Sequence, residues 1–136
     1  MVSTDAAPKA KPERPLSPHL SVYRVTLTMA MSFLHRVTGA ALYIGALLLA
    51  WYLIAASLDA GAFAVVSGFL QSFLGRLILF GFSWSLFHHM LGGVRHFVWD
   101  AGYGLDDPER EWLATGTLAG GFVLTLVVWS IGYLVR

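Results

Sequence analysis

Residues 37–58 read VTGAALYIGALLLAWYLIAASL, 22 consecutive positions without a charged side chain. Wound as a helix at 1.5 Å per residue, this run is roughly 33 Å long, enough to cross a hydrocarbon core of about 30 Å. Two further charge-free runs follow, 18 residues at 77–94 and 23 residues at 113–135. The first of these extends backward past Arg76 through the apolar segment 60–75, so its helix is expected to begin one or two turns before that arginine. In lipid every backbone N–H and C=O must pair within its own segment or in a closed barrel, and the ten-residue alternating segments of a barrel are absent. The sequence therefore predicts an all-α membrane protein with three transmembrane helices, at about 30–58, 64–98 and 112–135.

Composition agrees. Of 136 residues, 57% are hydrophobic and 12% charged, with a mean hydropathy of +0.66. A soluble domain is about 45–50% apolar and about 25% charged, and a chain this short cannot enclose the excess in a water-soluble core. The absence of cysteine excludes disulfides, thiolate-held iron–sulfur clusters and thiol catalysis. A net charge of +1 carries no nucleic-acid footprint, and there is no glycine-rich nucleotide-binding pattern.

Residues 1–13 form a tail rich in Ala, Pro and Lys without apolar periodicity, expected to be disordered. No apolar block precedes residue 25, as a secretory signal would need. Asp5 and Glu13 interrupt the basic character of a mitochondrial transit peptide. Residues 14–136 are then the membrane unit, and an unprocessed start favours a bacterial inner membrane over a mitochondrial one. Lys9, Lys11, Arg14, Arg24, Arg36, Arg95 and Arg110 account for seven of the nine basic residues, and all fall on one side of the three spans. By the positive-inside rule that side, with the N-terminus, faces the cytoplasm or an equivalent matrix. Tyr23, Trp99, Tyr103 and Trp112 would ring the inner interface, and Trp51, Tyr52, Trp129 and Tyr133 the outer one.

Chemistry must come from the few polar groups at membrane depth. The richest stretch is 88–100, HHMLGGVRHFVWD. Gly81, Ser85, His89, Gly92/Gly93 and His96 share one helical face, a strip of small residues with an imidazole in its middle. Such a strip lets a flat macrocycle approach the backbone, and imidazole is an axial ligand of haem iron. Small residues serve helix–helix packing equally well, and an intramembrane histidine can instead hydrogen-bond across helices. His88 lies about 100° around the helix from His89, and Trp84 and Leu91 make its face bulkier, which favours His89 as the ligand. From position 89 to 96 is about 10 Å along the axis, so propionates pointing inward from an iron at His89 would reach toward His96. Arg95 and His96 could equally anchor the headgroup interface.

A second constellation opens the first span. Ser32, His35, Arg36 and Gly39 fall on one helical side. Their hydroxyl, imidazole and guanidinium can donate to a quinone headgroup or a haem propionate, or they can anchor the helix at the lipid phosphates.

Arg14-Pro15-Leu16-Ser17-Pro18-His19-Leu20, then Ser32-x-x-His35-Arg36-x-Thr38-Gly39, then His89-x3-Gly93-Val94-Arg95-His96-x2-Trp99-Asp100-x-Gly102, resemble the cytochrome b membrane-anchor family of succinate dehydrogenase. This is the C-type subunit of succinate:quinone oxidoreductases, and the likeness runs from about residue 14 to the C-terminus. The resemblance implies an N-terminus-inside, three-helix member of a heteromeric helix bundle. It implies haem b with His89 as axial ligand, and His35, Arg36, Arg95 and His96 near the propionates. Ser32 and Arg36 would belong to the ubiquinone site. The implied partners are a flavoprotein that oxidises succinate, an iron–sulfur subunit, and a second small anchor supplying the other haem histidine. Two other readings of the residues are a haem-free membrane anchor and a transition-metal transporter using His88, His89 and His96.

Overall fold

A computed structural model describes residues 14–17, 19 and 22–135; the expected N-terminal tail at 1–13 lies outside the described residues. Four helices follow one another: α1 (Leu27–Leu58), α2 (Ala60–Gln71), α3 (Phe73–Asp100) and α4 (Glu109–Leu134). Those of 32, 28 and 26 residues are long and apolar enough to cross a membrane, with lengths of about 48, 42 and 39 Å at helical rise.

Local signals set each boundary. The Thr26 side chain caps α1 by accepting from the Met29 N–H at 3.3 Å. Asp59 is the single extended residue between α1 and α2, and its carboxylate accepts from the Ala62 N–H at 2.9 Å. Residues 64–98, read from the sequence as one span, are divided at Ser72. The Ser72 backbone N–H closes α2 on the Phe69 carbonyl, while its hydroxyl oxygen caps α3 by accepting from the Gly75 N–H at 3.1 Å. Gly75 is required at this corner, because a Cβ there would run into the Phe69 carbonyl oxygen. The long helix consequently starts one turn before Arg76. Beyond α3 the chain turns through Gly102 and Gly104, both at positive φ, and the Trp99 indole N–H holds the loop by donating to the Gly104 carbonyl at 2.9 Å. Glu109 and Glu111 place negative charge at the positive end of α4.

α3 is the centre of the bundle, packed against α4 and α1, with α2 packed against both α1 and α3. The interior is small and hydroxyl-bearing. Met31, Ala55, Val66 and Ala114 are its buried apolar residues, beside the buried polar Thr38, Ser85, His88, Arg95, Thr117 and Thr125. Leucines, isoleucines and phenylalanines lie outside, as they do where the solvent is itself hydrocarbon. The buried threonines donate back to their own helices: Thr117 to Leu113 at 2.7 Å, Thr125 to Gly121 at 2.8 Å. Their hydroxyls are thus satisfied without water.

Candidate functional site

Two glycines let α1 and α3 approach closely. A Cβ on Gly39 would lie 2.9 Å from Cε1 of His89, and a Cβ on Gly92 would overlap Nδ1 of His35. Each helix therefore offers a glycine notch to the histidine of the other. The two imidazoles stack in parallel, centroids 3.9 Å apart and planes 3° apart.

The bond that orients His89 runs between helices. Its Nδ1 is 3.0 Å from the His35 carbonyl oxygen. A carbonyl can only accept, so Nδ1 carries the proton and Nε2 keeps its lone pair. Thr38 Oγ1, buried beside them, sits 3.4 Å from the same Nδ1 and donates to the Leu34 and His35 carbonyls at 3.0 and 2.9 Å. A histidine ligand needs this arrangement: one nitrogen held by a backbone acceptor, the other available.

His88 is turned to the opposite side. It is fully buried at 0% exposure, stacks on Trp84 at 5.3 Å, and lies where α4 crosses; a Cβ on Gly121 would come within 3.1 Å of its Cα. Neither of its ring nitrogens has a hydrogen-bond partner. Two turns further on the same face, Arg95 is buried to 2% exposure, with its guanidinium 5.0 Å from the Trp99 ring and Nε and Nη1 unpartnered. His96, by contrast, is exposed, packs edge-on against Trp99 and lies 5.4 Å from His35. The structure therefore brings His35, His89 and His96 together, with Arg95 held on the α4 side of α3. Ser32 and Arg36 are exposed one turn apart on α1, where Arg36 Nε donates to the Ser32 carbonyl at 3.3 Å.

Parts of the small-residue strip are consumed inside the chain. Ser85 and Gly92 are buried, Gly92 beneath His35, while Gly81 and Gly93 meet nothing within 4 Å. Among the described residues no group of three or more His, Cys, Asp or Glu is arranged to hold a metal ion, and His88 does not converge with His89 and His96. Gly39 and Gly92 stand on the two faces read from the sequence and Thr38 in its motif, but that each glycine is a notch for the histidine of the other helix, with Thr38 beside them, was not read from the sequence. Their signal was present as a small residue one helical turn from each histidine.

The fold and the histidine-bearing helix contact define a class: a multi-pass helical membrane protein with imidazoles packed between two of its long apolar helices. The description succinate dehydrogenase/fumarate reductase transmembrane subunit matches residues 10–128. The chain belongs to that family. It is 44% identical over 121 residues to the succinate dehydrogenase cytochrome b556 subunit of Paracoccus denitrificans, covering 87% of this chain and 93% of that one. It is 32% identical over 117 residues to the cytochrome b556 subunit of Rickettsia felis, covering 86% and 91%. It is also 40% identical over 119 residues to the mitochondrial cytochrome b560 subunit of Sus scrofa, covering 86% and 67%.

Proposed function

We propose that this chain is the cytochrome b membrane-anchor subunit of a succinate dehydrogenase, with His89 Nε2 as one axial ligand of haem b. The observation that carries the reading is the 3.0 Å bond from His89 Nδ1 to the His35 carbonyl, which sets the tautomer a ligand needs. The residues fit the group in two further respects. The His89 ring is half-buried rather than sealed, and the neighbouring Gly93 leaves open space. His35, Arg36, Arg95 and His96 are then the candidates to hold the propionates.

A haem held by His89 would supply a one-electron carrier. The chain's own contribution to quinone reduction lies on α1. The Ser32 hydroxyl is a hydrogen-bond donor to the ubiquinone carbonyl and a station for its proton. The Arg36 guanidinium is a fixed positive charge where a quinone oxygen becomes negative. Without cysteine or a flavin-binding pattern, succinate oxidation and electron delivery fall to a flavoprotein and an iron–sulfur subunit. A second small anchor chain supplies the other haem histidine. The basic side, with the N-terminus and the loop after α3, faces the cytoplasm and receives the soluble subunits.

The experiment is His89→Ala in the purified complex. The reduced-minus-oxidised spectrum of low-spin haem b is expected to disappear or broaden, with quinone reduction partly kept. An unchanged spectrum would refute the ligand assignment, and a colourless wild-type complex would leave a haem-free anchor as the reading.

A further inference from the structure

At the end of the bundle away from the histidines, a cavity of about 590 Å³ opens between the four helices, its mouth carrying Ser67, Gln71, Arg76 and Tyr133. A second chamber of about 230 Å³ adjoins it, sharing Tyr52, Leu70 and Leu79, and is lined further by Gly45, Leu48 and Leu49 of α1 and Phe82 of α3. The two differ in chemistry. The mouth has a guanidinium, an amide and hydroxyls, whereas the inner chamber is walled by leucines, a phenylalanine and the ring of Tyr52. Trp129 lines the larger cavity, its indole N–H already donating to Ser83 Oγ at 3.2 Å, so it offers its ring rather than a free donor to an occupant.

Arg76 is exposed in the first turn of α3, 13 positions from His89, or about 20 Å along the axis. The only ion pair among the described residues is Arg110–Asp107, so none of the described carboxylates neutralises it. A free phosphate would leave the apolar chamber unfilled, and a quinone, neutral at rest, would meet the guanidinium only through a carbonyl oxygen. An amphiphile with an anionic head uses both. We propose that these adjoining cavities bind an anionic phospholipid of the leaflet opposite the quinone site, its phosphodiester on Arg76 and an acyl chain against the apolar lining between α1 and α3. Tyr133 at the mouth is an aromatic ring of the kind that meets lipid headgroups.

The test uses the intact complex purified in mild detergent, as wild type, Arg76→Gln, Arg76→Lys and Gly132→Phe. Gly132 lines the mouth and has nothing within 4 Å of an added Cβ, so phenylalanine there fills the cavity without moving the backbone. Bound phospholipid is identified by native mass spectrometry and phosphorus assay. The delipidated complex is then titrated with phosphatidylglycerol or phosphatidylcholine, with the thermal unfolding midpoint as readout. Wild type and Arg76→Lys are expected to retain an anionic phospholipid and to prefer phosphatidylglycerol about fivefold, the factor that one basic residue near a membrane surface gives. Arg76→Gln should lose the preference, and Gly132→Phe the retained lipid. Equal response to both lipids, an unchanged preference in Arg76→Gln, a quinone retained in place of lipid, or full stabilisation by inorganic phosphate alone would each overturn the proposal. Should Arg76→Gln fail to assemble, the wild-type lipid comparison and Gly132→Phe still decide it.

Discussion

Gly39→Ala is the sharpest probe of the helix contact that holds His89. The new methyl would stand 2.9 Å from Cε1 and 3.4 Å from Nδ1 of the imidazole. Carbon–carbon contacts are comfortable at about 3.5–4.0 Å, so the ring must retreat by about 0.6 Å or more. It has nowhere free to go: one face is stacked on His35 at 3.9 Å, and Nδ1 is tied to the His35 carbonyl at 3.0 Å. A retreat of that size carries the bond beyond the usual limit of about 3.2 Å. Overpacking of this kind costs about 1–3 kcal/mol, offset in part by the gain of up to about 1 kcal/mol when alanine replaces glycine inside a helix. Strain of about 1–3 kcal/mol borne by the ligand corresponds to haem binding about 5- to 150-fold weaker. The measurement is haem retained per complex, from the difference spectrum, during competition with an excess of apo-haem protein. Gly116→Ala, where an added Cβ meets nothing within 4 Å, is the control. If Gly39→Ala holds haem as firmly as the control, the notch does not position the ring.

Arg36→Ala should lower quinone reductase activity on the order of tenfold to a hundredfold while succinate oxidation by an artificial acceptor stays intact; equal loss of both would point to assembly instead. His88→Phe replaces a sealed imidazole with two unpartnered nitrogens by an apolar ring of similar shape. Removing that desolvation cost is worth about 1–3 kcal/mol, so the haem spectrum should be unchanged and the complex no less stable to heat. Loss of haem in His88→Phe would contradict the separation of the two histidines. Gly121→Leu inserts a side chain where α4 meets the backbone of α3 at His88. It should destabilise the subunit by about 1–3 kcal/mol, read as a lowered unfolding midpoint, and an unaltered midpoint would mean the α3–α4 crossing is looser than described.

The three spans were legible because charge-free runs of sufficient length leave a chain in lipid few options. The break at Ser72 was harder to read. Residues 60–75 are apolar without proline, and only the serine three positions before Gly75 marks a cap. The histidine face was readable from periodicity, including the bulkier surroundings of His88, because side-chain direction on one helix follows from 100° per residue. The partner of His89 was not, since it is a backbone carbonyl on another helix and depends on how α1 is rotated against α3. Arg95 and His96 illustrate the same limit. They are adjacent in sequence, yet one is buried beside Trp99 and the other exposed, a division set by how α3 is rotated in the bundle. The two readings of the small residues divide along the chain: Gly39, Gly92 and Gly121 serve close packing, while Gly81 and Gly93 remain open.

The carbonyl that holds His89 belongs to the residue immediately before Arg36. One peptide unit therefore gears α1 to α3. Any roll of α1 that swings the guanidinium also pulls on the imidazole, and any displacement of the imidazole pulls back. Events at the mouth of α1 and events at the middle of α3 share a single mechanical joint, so a ligand drawn to one should leave a spectroscopic trace at the other.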